Sequence, residues 1–69
     1  MTVEVIVNGK PLSVREGATV ADVVDRFLPG GSTGTAVALA GEVVPAARWT
    51  TTSVAAGDRL EILQAVAGG

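Results

Sequence analysis

The chain has 69 residues, 48% of them hydrophobic, and its five basic and seven acidic side chains leave a net charge of −2. It contains no cysteine and no histidine, which removes disulfides, thiolate nucleophiles, Cys/His zinc sites and the commonest general base. No basic run marks a nucleic-acid binder, no apolar stretch approaches the ~20 residues of a membrane span, and the opening MTVEVIVNGK lacks a signal-peptide pattern, so a cytoplasmic protein with neither nucleic-acid nor membrane partner is expected.

This length predicts one domain over residues 1–69, burying only about 60% of the surface its unfolded chain exposes. Phe27 and Trp49 are the only aromatic residues, so the core must be built from Val, Leu, Ile and Ala. Carboxylates remain as possible acids and bases, but so short a chain does not fold a deep pocket around them. A protein that is not itself an enzyme is expected.

Alternation in TVEVIV puts Val3, Val5 and Val7 on one face of a first strand and Glu4 and Ile6 on the other. Asn8-Gly9 is a strong hairpin signal, because both central positions of a type I′ turn need positive φ. Leu12 and Val14 continue the apolar face on a second strand. Pro11 lacks a ladder donor and predicts that this strand lies at a sheet edge. ATVADVVDRFLPGG reads as a helix, with Val20, Val23, Val24, Phe27 and Leu28 in one apolar stripe. Thr19 is its expected N-cap, with Asp22 three residues on, and Pro29 with the following glycines stops it. Asp22, Asp25 and Arg26 read as a solvated helix face.

TAVALA predicts a third strand with Val37 and Leu39 facing in. Gly41 turns the chain into a short fourth strand, EVV, before Pro45. PAARWTTTSVAAG has no clear period and reads as a long connection with a short helical turn, pinned by Trp49. A turn at Gly57-Asp58 then leads to a fifth strand, with Leu60 and Ile62 facing one way and Leu63 and Ala65 the other.

One helix stripe must be buried against one face of one sheet. A right-handed crossover lays the strand after the helix parallel within the first hairpin's sheet, and the long return lets the last strand slot in beside the first. The expected fold is the α+β β-grasp (ubiquitin-like) arrangement, a mixed five-stranded sheet packed on one helix, with residues 65–69 as a flexible tail. Glycine is the costliest residue to order, so the closing Gly68-Gly69 adds nothing to a fold. It suits a thread that enters a narrow channel in a partner, and Val66 and Ala67 are small enough to follow.

VALAGEVVPAARW followed by AGDRLEILQAVAGG resembles the ThiS family of sulfur carriers of thiamin biosynthesis, within the wider ThiS/MoaD ubiquitin-like group. The matching features are Glu42-Val43-Val44-Pro45, Trp49 four residues later, Gly57-Asp58 before an apolar strand with Glu61 and Ile62, and Val66-Ala67-Gly68-Gly69. The resemblance implies that an E1-like, ThiF-type enzyme adenylates Gly69 with ATP and that a persulfide sulfur displaces AMP. The thiocarboxylate at Gly69 then delivers sulfur to a ThiG-type thiazole synthase. It further implies a domain that itself binds no cofactor or metal and is a monomer when free. Two positions depart from the family's usual residues: Ala40, often Asn, and Ala46, often Arg.

Two relatives of this reading share the terminal Gly-Gly: the MoaD-like small subunit of molybdopterin synthase, and a ubiquitin-like modifier conjugated through Gly69. Lys10 is the only lysine, which disfavours a chain-forming modifier. A β-grasp interaction module with an incidental tail is a third reading. Ile6, Leu63 and Ala65 face away from the helix and are the expected partner-docking surface.

Overall fold

The computed structural model describes residues 1–31 and 33–64. Strands β1 (Thr2–Val7) and β2 (Lys10–Arg15) form an antiparallel hairpin. Its turn closes through Asn8 and Gly9 at φ 53° and 82°, both positive as a two-residue type I′ turn demands. Pro11 stands opposite Ile6, in the row whose backbone N–H groups point away from β1, and β2 is indeed an edge strand. After helix α1 (Val20–Phe27) come β3 (Thr35–Leu39), β4 (Glu42–Val44), a 3₁₀ turn (Ala46–Arg48) and β5 (Arg59–Gln64).

The sheet order is β2-β1-β5-β3-β4, with β5 parallel to β1 and antiparallel to β3. The strand that follows the helix therefore runs parallel to β2, which precedes it. The expected β-grasp, five mixed strands against one helix, is what forms.

Three of the eight residues of α1 are buried valines, which are mediocre helix formers because branching at Cβ restricts χ1. The helix depends on packing and on its N-terminus, where the first four N–H groups have no intrahelical partner. All are satisfied here. Val20 N–H donates to the Thr52 carbonyl at 2.8 Å and Ala21 N–H to the Trp49 carbonyl at 3.0 Å. Asp22 N–H donates to Thr19 Oγ1 at 3.2 Å. Thr19 N–H in turn donates to the Asp22 carboxylate at 2.9 Å, completing a capping box.

The core comprises Val5, Val7, Val14, Ala18, Val20, Val23, Val24, Val37, Trp49, Val54, Leu60 and Ile62. Trp49 is only 9% exposed, and its indole N–H donates to the Val44 carbonyl at 2.8 Å, which ties the long connection to the end of β4. Val54 and Ala18, which no periodicity marked, are buried together, with Val54 N–H donating to the Ala18 carbonyl at 2.9 Å. Phe27 departs from its expected place in the buried stripe and is 36% exposed. The helix ends at Phe27, and the C-cap Leu28 leaves helical phase at φ −126°, ψ 72°. Leu28 turns onto the core, and Phe27 stays at the rim.

The β3–β4 hairpin repeats the geometry of the first: Ala40 and Gly41 have φ 52° and 85°. Here an alanine occupies the left-handed position that Asn8 fills in the first turn. An L-residue with a Cβ pays roughly 1–2 kcal/mol there, and asparagine tolerates the region better. Ala40→Asn is expected to raise unfolding stability by about 0.5–1 kcal/mol, read from urea denaturation with an unchanged m-value.

The capping box also sets a pH dependence. The Thr19 N–H holds the Asp22 carboxyl below its ordinary value; slight desolvation opposes this, and the Thr19 hydroxyl and the Arg15 guanidinium, 3.7 Å away, reinforce it. Because the folded pKa lies below the unfolded one, the contribution is complete above the unfolded value and is lost as pH falls through the folded one. NMR titration is expected to give Asp22 a midpoint below the ordinary aspartate value, and Asp22→Asn is expected to remove this part of the acid-induced loss of stability.

Candidate functional site

Two of the clefts among the described residues have volumes of about 310 and 340 Å³. In the first, between β2 and α1, Arg15 and Asp22 pair with each other. The second lies between the β3–β4 hairpin and the 3₁₀ turn and is lined largely by Leu39, Val43, Val44 and Pro45, with Glu42 and Arg48 at its rim. Among the described residues no three His, Cys, Asp or Glu side chains gather as metal ligands, and no helix is long and apolar enough to cross a membrane.

The arrangement of interest is the end of β5 and the sheet face it belongs to. β5 is the middle strand, between β1 and β3, so its C-terminal end leaves from the interior of the sheet and not from an edge. Leu60 and Ile62 point into the core, and Leu63 points to the face opposite α1, where it is 66% exposed. Gln64 pairs with Thr35 and is the last residue described. Ala65, Val66, Ala67, Gly68 and Gly69, expected as the working tail and part of the docking surface, lie outside the described residues.

Ile6 and Leu63 share the outer face but occupy different parts of it. Ile6 is half-buried between Pro11 of β2 and Arg59 of β5 in register. Leu63 lies four residues further along β5, about 13 Å at strand rise, opposite Ala36. The apolar neighbourhood of Leu63 is the exposed Ala36 and the half-buried Ala38 on β3 and, across from Ala38, Val43 on β4, which is 75% exposed; Glu61 of β5 flanks Ala38 on its other side. Sequence reasoning missed Val43. Its signal was the pair Val43-Val44 in a three-residue strand: with one valine facing in, the other must face out.

Ala40, where the resemblance expected asparagine, is the strained turn residue described above. Its N–H donates to the Arg59 carbonyl at 2.9 Å, so this turn sits directly on the start of β5.

With the geometry in place, comparison with known proteins is specific. The family model described as the ThiS family matches residues 3–69. Among solved structures, the crystal structure of a thiamine biosynthesis protein (ThiS) from Geobacter metallireducens superposes with a TM-score of 0.79 at 30% sequence identity, covering 97% of this chain and 100% of that one. No curated protein matches the chain significantly. A family match from the first strand to the last glycine, together with the shared arrangement of sheet and helix, establishes that the chain belongs to the ThiS family.

Proposed function

We propose that this protein is a sulfur carrier of thiamin biosynthesis, a transferred substrate and not a catalyst, with Gly69 as the group modified. The observation that carries this reading is that the family match runs through Gly69, so the closing Gly68-Gly69 falls inside it. With no cysteine in the chain, sulfur has no thiol to ride on, and a terminal carboxylate is the group left that can become a thiocarboxylate.

A carboxylate is a weak nucleophile, and a partner must bind ATP and offset charge before a Gly69 oxygen attacks the α-phosphorus. Pyrophosphate leaves and an acyl-adenylate remains. A persulfide sulfur then attacks the carbonyl carbon and AMP leaves. A thiol cleaves the resulting acyl disulfide and frees the thiocarboxylate. The partners in this scheme are an E1-like, ThiF-type activating enzyme, which uses the ATP, and a ThiG-type thiazole synthase in the cytoplasm. Residues 66–69 (Val66, Ala67, Gly68 and Gly69) enter the partner's channel.

Co-expression with an activating enzyme and a persulfide donor, followed by intact mass measurement, is expected to show exchange of one oxygen for one sulfur at the C-terminus. Deletion of Gly69 is expected to abolish that exchange with thermal unfolding unchanged. Recovery of the chain in amide linkage to lysines of other proteins would instead identify a modifier.

The docking surface for the activating enzyme is the outer sheet face around Leu63, extending to Ala36, Ala38 and Val43, with Ile6 towards its far side and Ala65 following in sequence. Leu63 is exposed, so Leu63→Asp is expected to leave stability within about 0.5 kcal/mol. The same substitution is expected to lower kcat/KM for adenylation by about 10-fold or more, the scale on which a hydrophobic pocket discriminates small differences in apolar bulk. Unchanged adenylation kinetics in the folded variant would remove this face from the interface.

A further inference from the structure

We propose that Asn8 is a positioning residue for the terminal segment, holding the end of β5 so that the residues leading to Gly69 start from one place and one direction. The inference rests on the carrier reading above and concerns a residue 54 positions away from its partner in sequence.

The backbone ladder between β1 and β5 is short, with Ile6 opposite Arg59 and Val7 opposite Leu60. Its last backbone bond runs from Asn8 N–H to the Leu60 carbonyl, at 3.0 Å, and there the chain turns away into β2. Ile62 lies one step further along β5. Its N–H and C=O face the same side as those of Leu60, where β1 no longer reaches. The Asn8 side chain fills that step. Ile62 N–H donates to Asn8 Oδ1 at 2.8 Å, and Asn8 Nδ2 donates to the Ile62 carbonyl at 3.0 Å. The amide thus stands in for a peptide group and extends the ladder by one rung. The two partners also fix its orientation, since an N–H requires the oxygen and a carbonyl the NH₂.

The turn alone does not require this. Position 8 needs a residue that accepts φ 53°, and glycine, asparagine and aspartate all do. Of these only asparagine carries both a donor and an acceptor. Beyond Ile62, the described part of β5 is paired with β3 alone, through Leu63 with Ala36 and Gln64 with Thr35. Among the described residues, Asn8 is therefore the last group of the first hairpin to grip β5.

Asn8→Gly removes the amide and keeps the turn. Asn8→Asp keeps the turn and the acceptor but sets a second acceptor against the Ile62 carbonyl. Both variants are to be compared with wild type in ATP–pyrophosphate exchange with the activating enzyme, and in amide hydrogen exchange by NMR. If the root of the segment is ordered in only a tenth to a third of molecules, KM for the carrier rises by about 3- to 10-fold, while kcat for the bound complex stays within about twofold. Ile62 exchange is expected to accelerate in Asn8→Gly, which loses the acceptor of the Ile62 N–H, while the α1 amides keep their protection, a pattern that general destabilisation does not give. A folded Asn8→Gly protein with wild-type KM, or with an Ile62 amide as protected as in wild type, overturns the assignment. Wild-type chain that supports no exchange overturns the carrier reading itself, and the role of Asn8 with it.

Discussion

The constraint on which the structure depends is the insertion of β5 between β1 and β3. The last strand in sequence is the middle strand in space, so the sheet stays open until the chain has returned. Until then the valine stripe of α1 has only part of its floor, because Leu60 and Ile62 arrive with β5 and pack between Val5, Val7 and Val37. Closing so long a loop is less costly than its length suggests, since the entropy of closure grows only logarithmically. The same insertion orients the outer face. Once Leu60 and Ile62 point inward, Leu63 must point outward.

The connection over residues 45–58 carries its own share of order. It offers carbonyls from Trp49 and Thr52 to the first turn of α1, and Ser53 forms a β-bridge with Thr19. A segment with little secondary structure of its own thus serves as the cap of the helix. Trp49 holds it in place twice over, its ring in the core and its indole N–H on the Val44 carbonyl. The exposed ion pair between Arg15 and Asp22 adds little by comparison, because such pairs are screened and entropically costly.

Much of this was legible in the sequence for local reasons. Asn8-Gly9, Pro11 and Thr19-Asp22 each act within a few residues, so turn, edge and cap could be read directly. The place of the last strand beside the first followed from the crossover rule and the length of the return connection. What escaped was set by contacts distant in sequence. Val54 lies in a stretch without period, and its burial depends on where Ala18 ends up. Phe27 fits the helical stripe, but the chain leaves helical geometry immediately after it. The departure at Ala40 was visible, yet its meaning was not: only the φ of 52° makes it a matter of backbone strain. The Asn8–Ile62 bonds were hidden because the turn signal already accounted for the asparagine. Of the candidate site, the outward direction of Leu63 was readable from alternation, whereas its neighbours Ala36, Ala38 and Val43 required the strand register.

Both flanks of the sheet are poor templates. On one side Pro11 deletes a donor from the free row of β2, and on the other β4 offers only three residues, Glu42–Val44. A second copy that tried to lengthen the sheet would find a gap in one ladder and almost no length in the other. Both free edges thereby resist extension of the sheet by a second copy of the chain.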